Sequence, residues 1–202
     1  MAKKALDTLY FDARYIRVDH HDGISRFSAG LCDAISQQMK TIAIISDERQ
    51  LKSLPAGIEH ILLNDPTSPI AELFIARKLN ALGAKLVFSP MQTMGTWGRK
   101  YKLLLTLHDL IYYAHPAPPP SMPLFIRIGW RLFHSVYWPQ RLVLNQADAI
   151  VTVSETTKRL INQHRLTKRQ VHVVYNAAAH VHEQHKNAHN RPEGKQKLVY
   201  MG

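Results

Sequence analysis

The sequence lacks the features that define several common classes of protein. Cys32 is the single cysteine among 202 residues, which excludes an intrachain disulfide framework and fits a reducing compartment. No apolar run approaches the length of a membrane span, and no apolar segment follows the basic residues of the start. We therefore expect neither a transmembrane helix nor a signal peptide, and a cytoplasmic location.

Glycine-rich signatures of nucleotide and acyl-transfer chemistry are also missing. The sequence contains no G-x-G-x-x-G after its first predicted strand, no G-x-x-x-x-G-K-[ST] and no G-x-S-x-G. Histidine pairs occur within residues 20–22 and 182–185, but each lacks a third ligand at a suitable spacing. We therefore expect no metal and no bound cofactor.

Acidic residues are scarce relative to basic ones. The sequence has 26 Lys and Arg against 15 Asp and Glu, a formal net charge of +11. Such an excess indicates an anionic partner, either nucleic acid, acidic lipid or a phosphorylated substrate, with a solubilising surface as the alternative. Scattered basic residues and aromatic residues within apolar patterns disfavour nucleic acid.

Short apolar segments alternate with helical patterns over most of the chain. The predicted strands are residues 8–16, 41–46, 58–63, 85–89, 102–107, 149–153 and 171–175. The predicted helices are residues 24–35, 70–82, a stretch from the proline cluster 116–123 to Ala147 broken at Pro139, and one opened by Ser154. This alternation predicts an α/β fold, a Rossmann-like doubly wound parallel sheet with helices on both faces.

The composition changes after residue 176. Residues 177–196 are polar and rich in histidine, which predicts a surface linker. Residues 197–202 look like the opening strand of a further domain. We therefore expect a Rossmann-like domain over residues 1–176, a linker over 177–196 and the first strand of a truncated second domain over 197–202.

Candidate site residues follow the strands, because ligands of doubly wound sheets bind beyond the carboxyl ends of the strands. Gly23 opens a helix whose free N–H groups attract phosphate, and Arg26 suits an anion. Taken without their context, these two residues favour an ordinary strand-to-helix turn with a surface arginine. His108 and Asp109 suit proton handling or hydrogen bonding to a sugar or phosphate. Capping of the strand end is the alternative for this pair.

The strand at residues 149–153 is followed by Ser154 and Glu155. Ser154 suits a helix N-cap, and Glu155 suits the positive end of the helix dipole. The sequence favours these structural roles for both residues. Contact between the hydroxyl groups of this segment and a ligand is the alternative.

The helical stretch that follows the proline cluster has two unlike sides. Its apolar side contains Phe125, Ile128, Leu132 and Val136, and its other side contains Arg127, Arg131, His134 and Trp138. The pattern favours a helix whose apolar side packs on the core and whose basic side is solvated. A surface that meets anionic lipid is the alternative.

Taken in order, four segments resemble a known family: FDARYIRVDHHDGISRF, LTLHDLIYYAHP, ADAIVTVSETTKRLI and VHVVYNAA. They are similar to the N-terminal half of a retaining glycosyltransferase of the GT-B fold, in the large family 4 group that includes many mannosyltransferases. The resemblance covers nearly the whole chain. It implies two Rossmann-like domains facing each other across a cleft, the N-terminal one mainly for the acceptor and the C-terminal one mainly for a nucleotide sugar.

The resemblance also implies roles on the donor side. Gly23 resembles the loop glycine whose backbone approaches the donor's phosphates. His108 resembles the histidine that reaches the donor sugar near the reaction centre, and Asp109 completes that pair. Ser154 and Glu155 match the start of the helix after the S-E-T strand. No residue of the sequence identifies a catalytic nucleophile.

On the acceptor side, the resemblance implies contacts from Arg26 and from the segment after Pro116, which contains Arg127 and Arg131. The implied enzyme transfers a sugar, with mannose as a family-level preference, from a nucleotide sugar to a glycan or lipid-linked acceptor. It would be cytoplasmic and peripheral at the inner face of the cell membrane, with an anionic membrane surface as a further partner. A basic module that binds nucleic acid or membrane, and a truncated scaffold, are the alternatives.

The sequence departs from this family in one respect. Family members hold the nucleotide sugar with a basic residue and a pair of glutamates seven residues apart in the C-terminal domain. These 202 residues contain no counterpart of that set. We therefore predict that the chain alone does not transfer sugar.

Overall fold

A computed structural model describes residues 8–20, 22–115, 117–118 and 123–177. The predicted strand at 197–202, nearly all of the predicted linker at 177–196 and most of the proline cluster lie outside these residues, as does the side chain of Phe125. The described residues form one seven-stranded sheet, parallel throughout, with helices on both faces. The predicted α/β, doubly wound Rossmann-like fold is confirmed.

The elements follow the predicted alternation closely. The strands are β1 (Thr8–Asp12), β2 (Lys40–Ile45), β3 (Glu59–Leu62), β4 (Leu86–Ser89), β5 (Lys102–Thr106), β6 (Ala149–Thr152) and β7 (Gln170–Val173). The helices are α1 (Gly23–Ser36), α2 (Pro69–Leu73), α3 (Ile75–Ala81), α4 (Ile111–Ala114), α5 (Leu124–Ser135), α6 (Trp138–Asn145) and α7 (Glu155–Gln163), with a 3₁₀ helix over Glu48–Ser53.

The strand order is β3-β2-β1-β4-β5-β6-β7, so the chain builds outward from β1 in one direction and then returns to build in the other. In the centre, Phe11 of β1 lies opposite Ala43 of β2 and Phe88 of β4. The order reverses between β1 and β4. In doubly wound sheets the crevice beyond the carboxyl ends of the strands at such a reversal is the usual place for a ligand.

The core has two halves, one on each face of the sheet. Leu9 and Phe11 of β1 pack with Cys32 of α1 on one face. On the other face, Leu103 and Ile150 pack with residues of α3, α6 and α7. Burial on both sides explains why the strands are nearly continuous apolar runs rather than alternating patterns.

Two predicted elements differ from expectation by more than a residue or two. Strand β1 ends at Asp12 rather than at residue 16, since the chain turns there with the Ile16 amide bonded to the Ala13 carbonyl. The predicted helix over 70–82 is divided at Phe74 into α2 and α3. The break allows Glu72 of α2 to reach Arg14 after β1, at 2.7 Å between Oε2 and Nη1.

The predicted break at Pro139 is wrong in position. Helix α5 ends at Ser135, and Val136 is extended, with φ −140° and ψ 150°. Pro139 instead lies in the first turn of α6. A proline is tolerated there because the first amides of a helix have no intrahelical partner.

The predicted packing of α5 is also wrong. Ile128 and Leu132, expected to pack on the core, are exposed, whereas His134, expected on the solvated side, is buried. The buried side is aromatic, with the rings of Trp130 and His134 4.5 Å apart. Within the described part of the chain, no helix combines the length and apolar character required to cross a membrane.

Candidate functional site

A cavity of about 610 Å³ lies at the carboxyl edge of the sheet, near the reversal of strand order. The ends of β5 and β6 form its floor, and the first turns of α1 and α7 flank it. It is lined by Asp22, Gly23, Ile24, Phe27, Met91, Gln92, Thr106, Leu107, His108, Asp109, Tyr112, Val153, Ser154, Thr157 and Asn176. Four of the predicted site residues, Gly23, His108, Asp109 and Ser154, are therefore brought together.

The N-terminus of α1 forms one wall of the cavity. Asp22 is the N-cap, and its Oδ1 accepts a hydrogen bond from the Ser25 amide at 2.8 Å. Partial burial acts to raise the pKa of Asp22, but the hydrogen bonds from Ser25 and the charge of Arg17 hold that pKa below its ordinary value. The carboxylate is therefore ionised and fixes the first turn of the helix.

Gly23 begins α1 and faces open space. A Cβ atom built on Gly23 would meet no other atom within 4 Å. Crowding by the protein itself therefore does not require a glycine here. The position leaves room for a ligand beside the free N–H groups of the first turn, which carry partial positive charge.

Three elements fix His108 at the end of β5. Its Nε2 lies 2.8 Å from the Pro90 carbonyl, and its ring meets the edge of Phe27 with centroids 5.0 Å apart. Thr157 Oγ1 donates to the His108 carbonyl at 3.2 Å. Because a carbonyl can only accept, Nε2 is the donor in this contact, and in the tautomer protonated only at Nε2 the Nδ1 atom is a hydrogen-bond acceptor.

Asp109 has a different partner from His108. Its Oδ1 accepts a hydrogen bond from the Ile111 amide at 3.0 Å, at the beginning of α4. Among the hydrogen bonds of the described residues, none joins the two side chains. The carboxylate thus orders the turn that carries Tyr112 into the cavity wall.

The N-terminus of α7 also contributes to the cavity wall. Ser154 is its N-cap, as the sequence predicted, and its Oγ accepts from the Thr157 amide at 3.1 Å. The hydroxyl groups of Ser154 and Thr157 are 2.9 Å apart. Glu155 lies in the first turn but does not line the cavity. Two helix N-termini therefore face one cavity, which favours anionic groups within it.

An ion cluster stabilises the loops at the end of β1. Arg14 Nε lies 2.8 Å from Asp12 Oδ1, and neither side chain is exposed. Burial acts to lower the pKa of Arg14, but the charges and hydrogen bonds of Asp12 and Glu72 raise it above its ordinary value. Glu72 also accepts from the Gly95 amide at 3.2 Å. The cluster joins β1 and α2 to the loop that carries Met91 into the cavity.

The three predicted acceptor-side arginines do not line the cavity. Arg26 is exposed on α1, Arg131 is exposed on α5, and Arg127 is half-buried on α5. The charges of Arg26 and Arg131 are therefore available at the surface rather than at the cavity floor.

Several residues of the cavity were missed from the sequence. Met91 and Gln92 follow β4, and Asn176 follows β7, so the rule that ligands bind after strand ends applies to them as well. Gln92 Oε1 accepts from Gln140 Nε2 at 2.8 Å, which connects the cavity wall to α6. Tyr112 carried no comparable sequence signal, whereas Thr157 belongs to the segment after β6 whose hydroxyl groups were an alternative ligand contact. Among the described residues, no group of three or more potential metal ligands occurs.

The parallel α/β sheet, with a cavity between two helix N-termini at its carboxyl edge, defines a domain of the Rossmann-like α/β class. A comparison with protein families matches residues 43–179 to Glycosyltransferase Family 4. The match spans more than half of the chain, and the chain belongs to this family. The matched segment contains His108 and Ser154, whereas Gly23 and Arg26 precede it. A search of curated proteins finds no match.

Proposed function

We propose that the chain forms the acceptor-side half of a retaining GT-B glycosyltransferase. The enzyme transfers a sugar, with mannose as the family-level preference, from a nucleotide sugar to a glycan or lipid-linked acceptor at the cytoplasmic face of a membrane. The observation that supports this most is the cavity, which combines His108 with two helix N-termini in a family 4 domain. Both the charge of a diphosphate and the hydroxyls of a sugar suit such a lining.

In this proposal the donor's phosphates lie against the first turn of α1. The backbone amides of that turn donate to phosphate oxygens, and the helix dipole favours their negative charge. The absence of a side chain at Gly23 allows the close approach.

His108 then contacts the donor sugar. The Pro90 carbonyl fixes the proton on Nε2, so Nδ1 accepts a hydrogen bond from a sugar hydroxyl. Asp109 acts as a positioning residue through α4, because its carboxylate accepts a hydrogen bond from the Ile111 amide at the beginning of that helix. Removal of His108 would therefore affect the sugar directly, whereas removal of Asp109 would affect it through the cavity wall.

The acceptor enters on the side of α1 and α5, where Arg26, Arg127 and Arg131 lie. Their positive charge attracts an acceptor that carries phosphate or another anionic group. The remaining donor contacts come from outside these 202 residues, since the sequence holds no counterpart of the family's basic residue and paired glutamates. The isolated chain should therefore bind nucleotide weakly and not turn it over.

A pair of glycine variants on the same helix tests the phosphate contact. Gly23→Ala places a methyl group in the cavity wall, whereas Gly30→Ala adds the same methyl group to exposed helix surface. Both additions meet no protein atom within 4 Å, so both variants should fold. We expect Gly23→Ala to weaken pyrophosphate, UDP and GDP binding by about tenfold, the effect of one lost hydrogen bond to a charged group.

The measurement is an NMR titration that follows the backbone amides of residues 23 and 24. The proposal requires these amides to shift on addition of pyrophosphate, and Gly30→Ala to bind as the unaltered chain does. Equal binding by both variants, or no shift at the start of α1, would contradict the phosphate site.

A further inference from the structure

Helices α2 and α3 expose a row of apolar side chains on the side that faces away from the core. We define the α2–α3 face by five exposed side chains: Ile70, Leu73, Phe74, Arg77 and Trp97. Its four helical members recur at intervals of three and four residues, so they lie on one side of these helices. The opposite side packs on the core through Ile75, Ala76 and Leu79, which are fully buried.

Ring contacts join the members of this face into one surface. The rings of Phe74 and Trp97 lie 5.4 Å apart between centroids. The guanidinium of Arg77 stacks over the Trp97 ring at 3.7 Å and lies 5.9 Å from the centre of the Phe74 ring. Isolated exposed apolar residues are normal, but a contiguous apolar patch indicates a surface that meets a partner. Tryptophan and arginine are among the residues that contribute most to binding at such surfaces.

The loop that carries Trp97 is fixed on both sides of this residue. On one side, the Gly95 amide donates to Glu72 Oε1 at 3.2 Å, and a side chain at Gly95 would collide with the Glu72 carbonyl. On the other side, Asn80 Nδ2 donates to the Gly98 carbonyl at 2.7 Å. Trp97 is therefore held at the surface by the fold, and an exposed ring held in place loses little freedom when a partner binds.

The two ends of the α2–α3 face carry opposite charges. Arg77 lies at the α3 end, and the exposed Asp65 precedes the N-cap of α2, Ser68, by three residues. Asp65 Oδ1 accepts from the amide and the hydroxyl of Thr67 at 2.7 and 2.6 Å, which fixes the carboxylate. Among the ion pairs of the described residues, none includes Asp65 or Arg77. Both charges are therefore available to a partner.

From these observations we infer that the α2–α3 face binds the same face of a second copy of the chain about a twofold axis. The axis passes near Leu73 and Phe74, so the two copies of α2 and α3 run antiparallel. Ile70 and Arg77 are about 10 Å apart along the helices, so Arg77 lies beside the beginning of the partner's α2. There it pairs with the partner's Asp65, and the same pair forms again on the other side of the axis.

Other occupants fit the α2–α3 face less well because its ends differ in sign. An anionic bilayer or an acidic peptide would be attracted to Arg77 but repelled by Asp65 at the other end. A second copy satisfies both charges, since a twofold rotation exchanges the two ends. The apolar side chains then form the centre of the interface and the two ion pairs form its rim, the usual arrangement of interfaces between proteins.

Sedimentation tests the apolar centre with a matched pair of double variants. Ile70→Ser with Leu73→Ser, the α2 pair, removes aliphatic groups that are 78% and 55% exposed. Ile128→Ser with Leu132→Ser, the α5 pair, removes groups that are 53% and 65% exposed. All four side chains are exposed, so neither pair should impair folding, and circular dichroism checks that both variants fold.

The measurement is sedimentation equilibrium of the 202-residue chain between about 5 and 300 µM, a range that includes the affinity of a small protein interface. We expect the unaltered chain to be in equilibrium between monomer and dimer. The α2 pair should weaken this association by about tenfold or more, because the centre of the interface loses its aliphatic groups. The α5 pair should associate as the unaltered chain does.

A mixture of two charge variants tests the ion pairs. Asp65→Lys leaves two cations facing each other across the axis, and Arg77→Glu leaves two carboxylates, so each variant alone should associate about tenfold or more weakly. An equimolar mixture places opposite charges together at both ends. We expect the mixture to form a dimer of one copy of each variant, within about threefold of the unaltered affinity, and native mass spectrometry identifies that dimer.

Four outcomes would overturn the inference. One is a chain that stays monomeric throughout the concentration range, and another is a dimer that the α5 pair disperses while the α2 pair leaves it intact. The third is a mixture of charge variants that associates no better than either alone. The fourth is a monomer that binds phosphatidylglycerol vesicles and loses that binding in the α2 pair, which would identify a bilayer as the occupant. None of these measurements requires sugar transfer, so the inference stands or fails separately from the proposed activity.

Discussion

At the scale of single residues, Arg14 shows how much the cavity depends on groups behind it. Its guanidinium is fully enclosed and bonds to Asp12, Glu72 and the Asn64 carbonyl. Removing one member of a buried ion cluster leaves the others without a counter-charge in a poorly solvated place. The arginine is therefore needed for stability although it does not line the cavity.

Arg14→Met should lower the free energy of unfolding by about 3–5 kcal/mol, because Asp12 would remain buried without its partner. Arg49→Met is the matched control, since Arg49 pairs with Asp47 at the surface and should contribute little. Urea unfolding of both variants measures the difference. Similar decreases in the free energy of unfolding for Arg14→Met and Arg49→Met would show that the buried ion cluster stabilises the fold no more than a surface ion pair does.

The sequence predicted part of the site at this scale. Gly23, His108 and Ser154 were found because each follows a strand whose apolar run is easy to recognise. Gln92 was missed, since its loop carries no motif, and the partner of Asp109 was missed because hydrogen bonds depend on local turn geometry. Arg26 was predicted at the site because of its positive charge, but it lies away from the cavity.

At the scale of elements, α5 shows the limit of periodicity. The sequence pattern correctly separated an aliphatic side from a side with arginine and histidine. The prediction of which side is buried was wrong, because burial depends on the neighbouring element. Tyr112 and Tyr113 of α4 offer aromatic surface, and Trp130 and His134 pack on it in preference to the aliphatic side chains.

Asp148 connects the loop before β5 to the start of β6. Its carboxylate accepts from the Leu103 amide at 2.9 Å and pairs with Arg99 and Lys102. Partial burial acts to raise the pKa of Asp148, but these hydrogen bonds and charges lower it to about 2. A carboxyl group whose pKa is lowered in the folded state stabilises the fold above its unfolded pKa near 3.8, and this stabilisation is lost as pH falls toward 2.

Asp148→Asn should therefore lower the free energy of unfolding by about 1–2 kcal/mol at pH 7. The difference from the unaltered chain should shrink as the pH falls from 4 toward 2, because the carboxyl group is then protonated. Urea unfolding between pH 2 and pH 7 measures this difference in the free energy of unfolding. Asp33→Asn, at an exposed position of α1, is the control. A difference that stays constant with pH would contradict the charge-based account.

At the scale of the whole molecule, the alternation of apolar runs and helical patterns was enough to predict the fold class. Strands buried on both faces are recognisable because each is apolar throughout. The strand order was not readable from the sequence, since it depends on which edge each new strand joins. That order places the reversal between β1 and β4, and the cavity lies near this reversal at the carboxyl edge of the sheet.

The net charge of +11 is also a property of the whole molecule. It indicated an anionic partner without telling where that partner binds. The structure separates a cavity flanked by helix N-termini from the exposed Arg131 of α5, so positive charge is available at two separate places.

The most direct test of the central claim is sugar transfer by the protein as its source cells make it. The purified protein, with and without His108→Ala, would be assayed with radiolabelled UDP- and GDP-sugars and with lipid and glycan acceptors. The account predicts transfer that falls by about 100-fold or more in the variant, with unfolding unchanged. No transfer from any nucleotide sugar, or full activity in the variant, would contradict it.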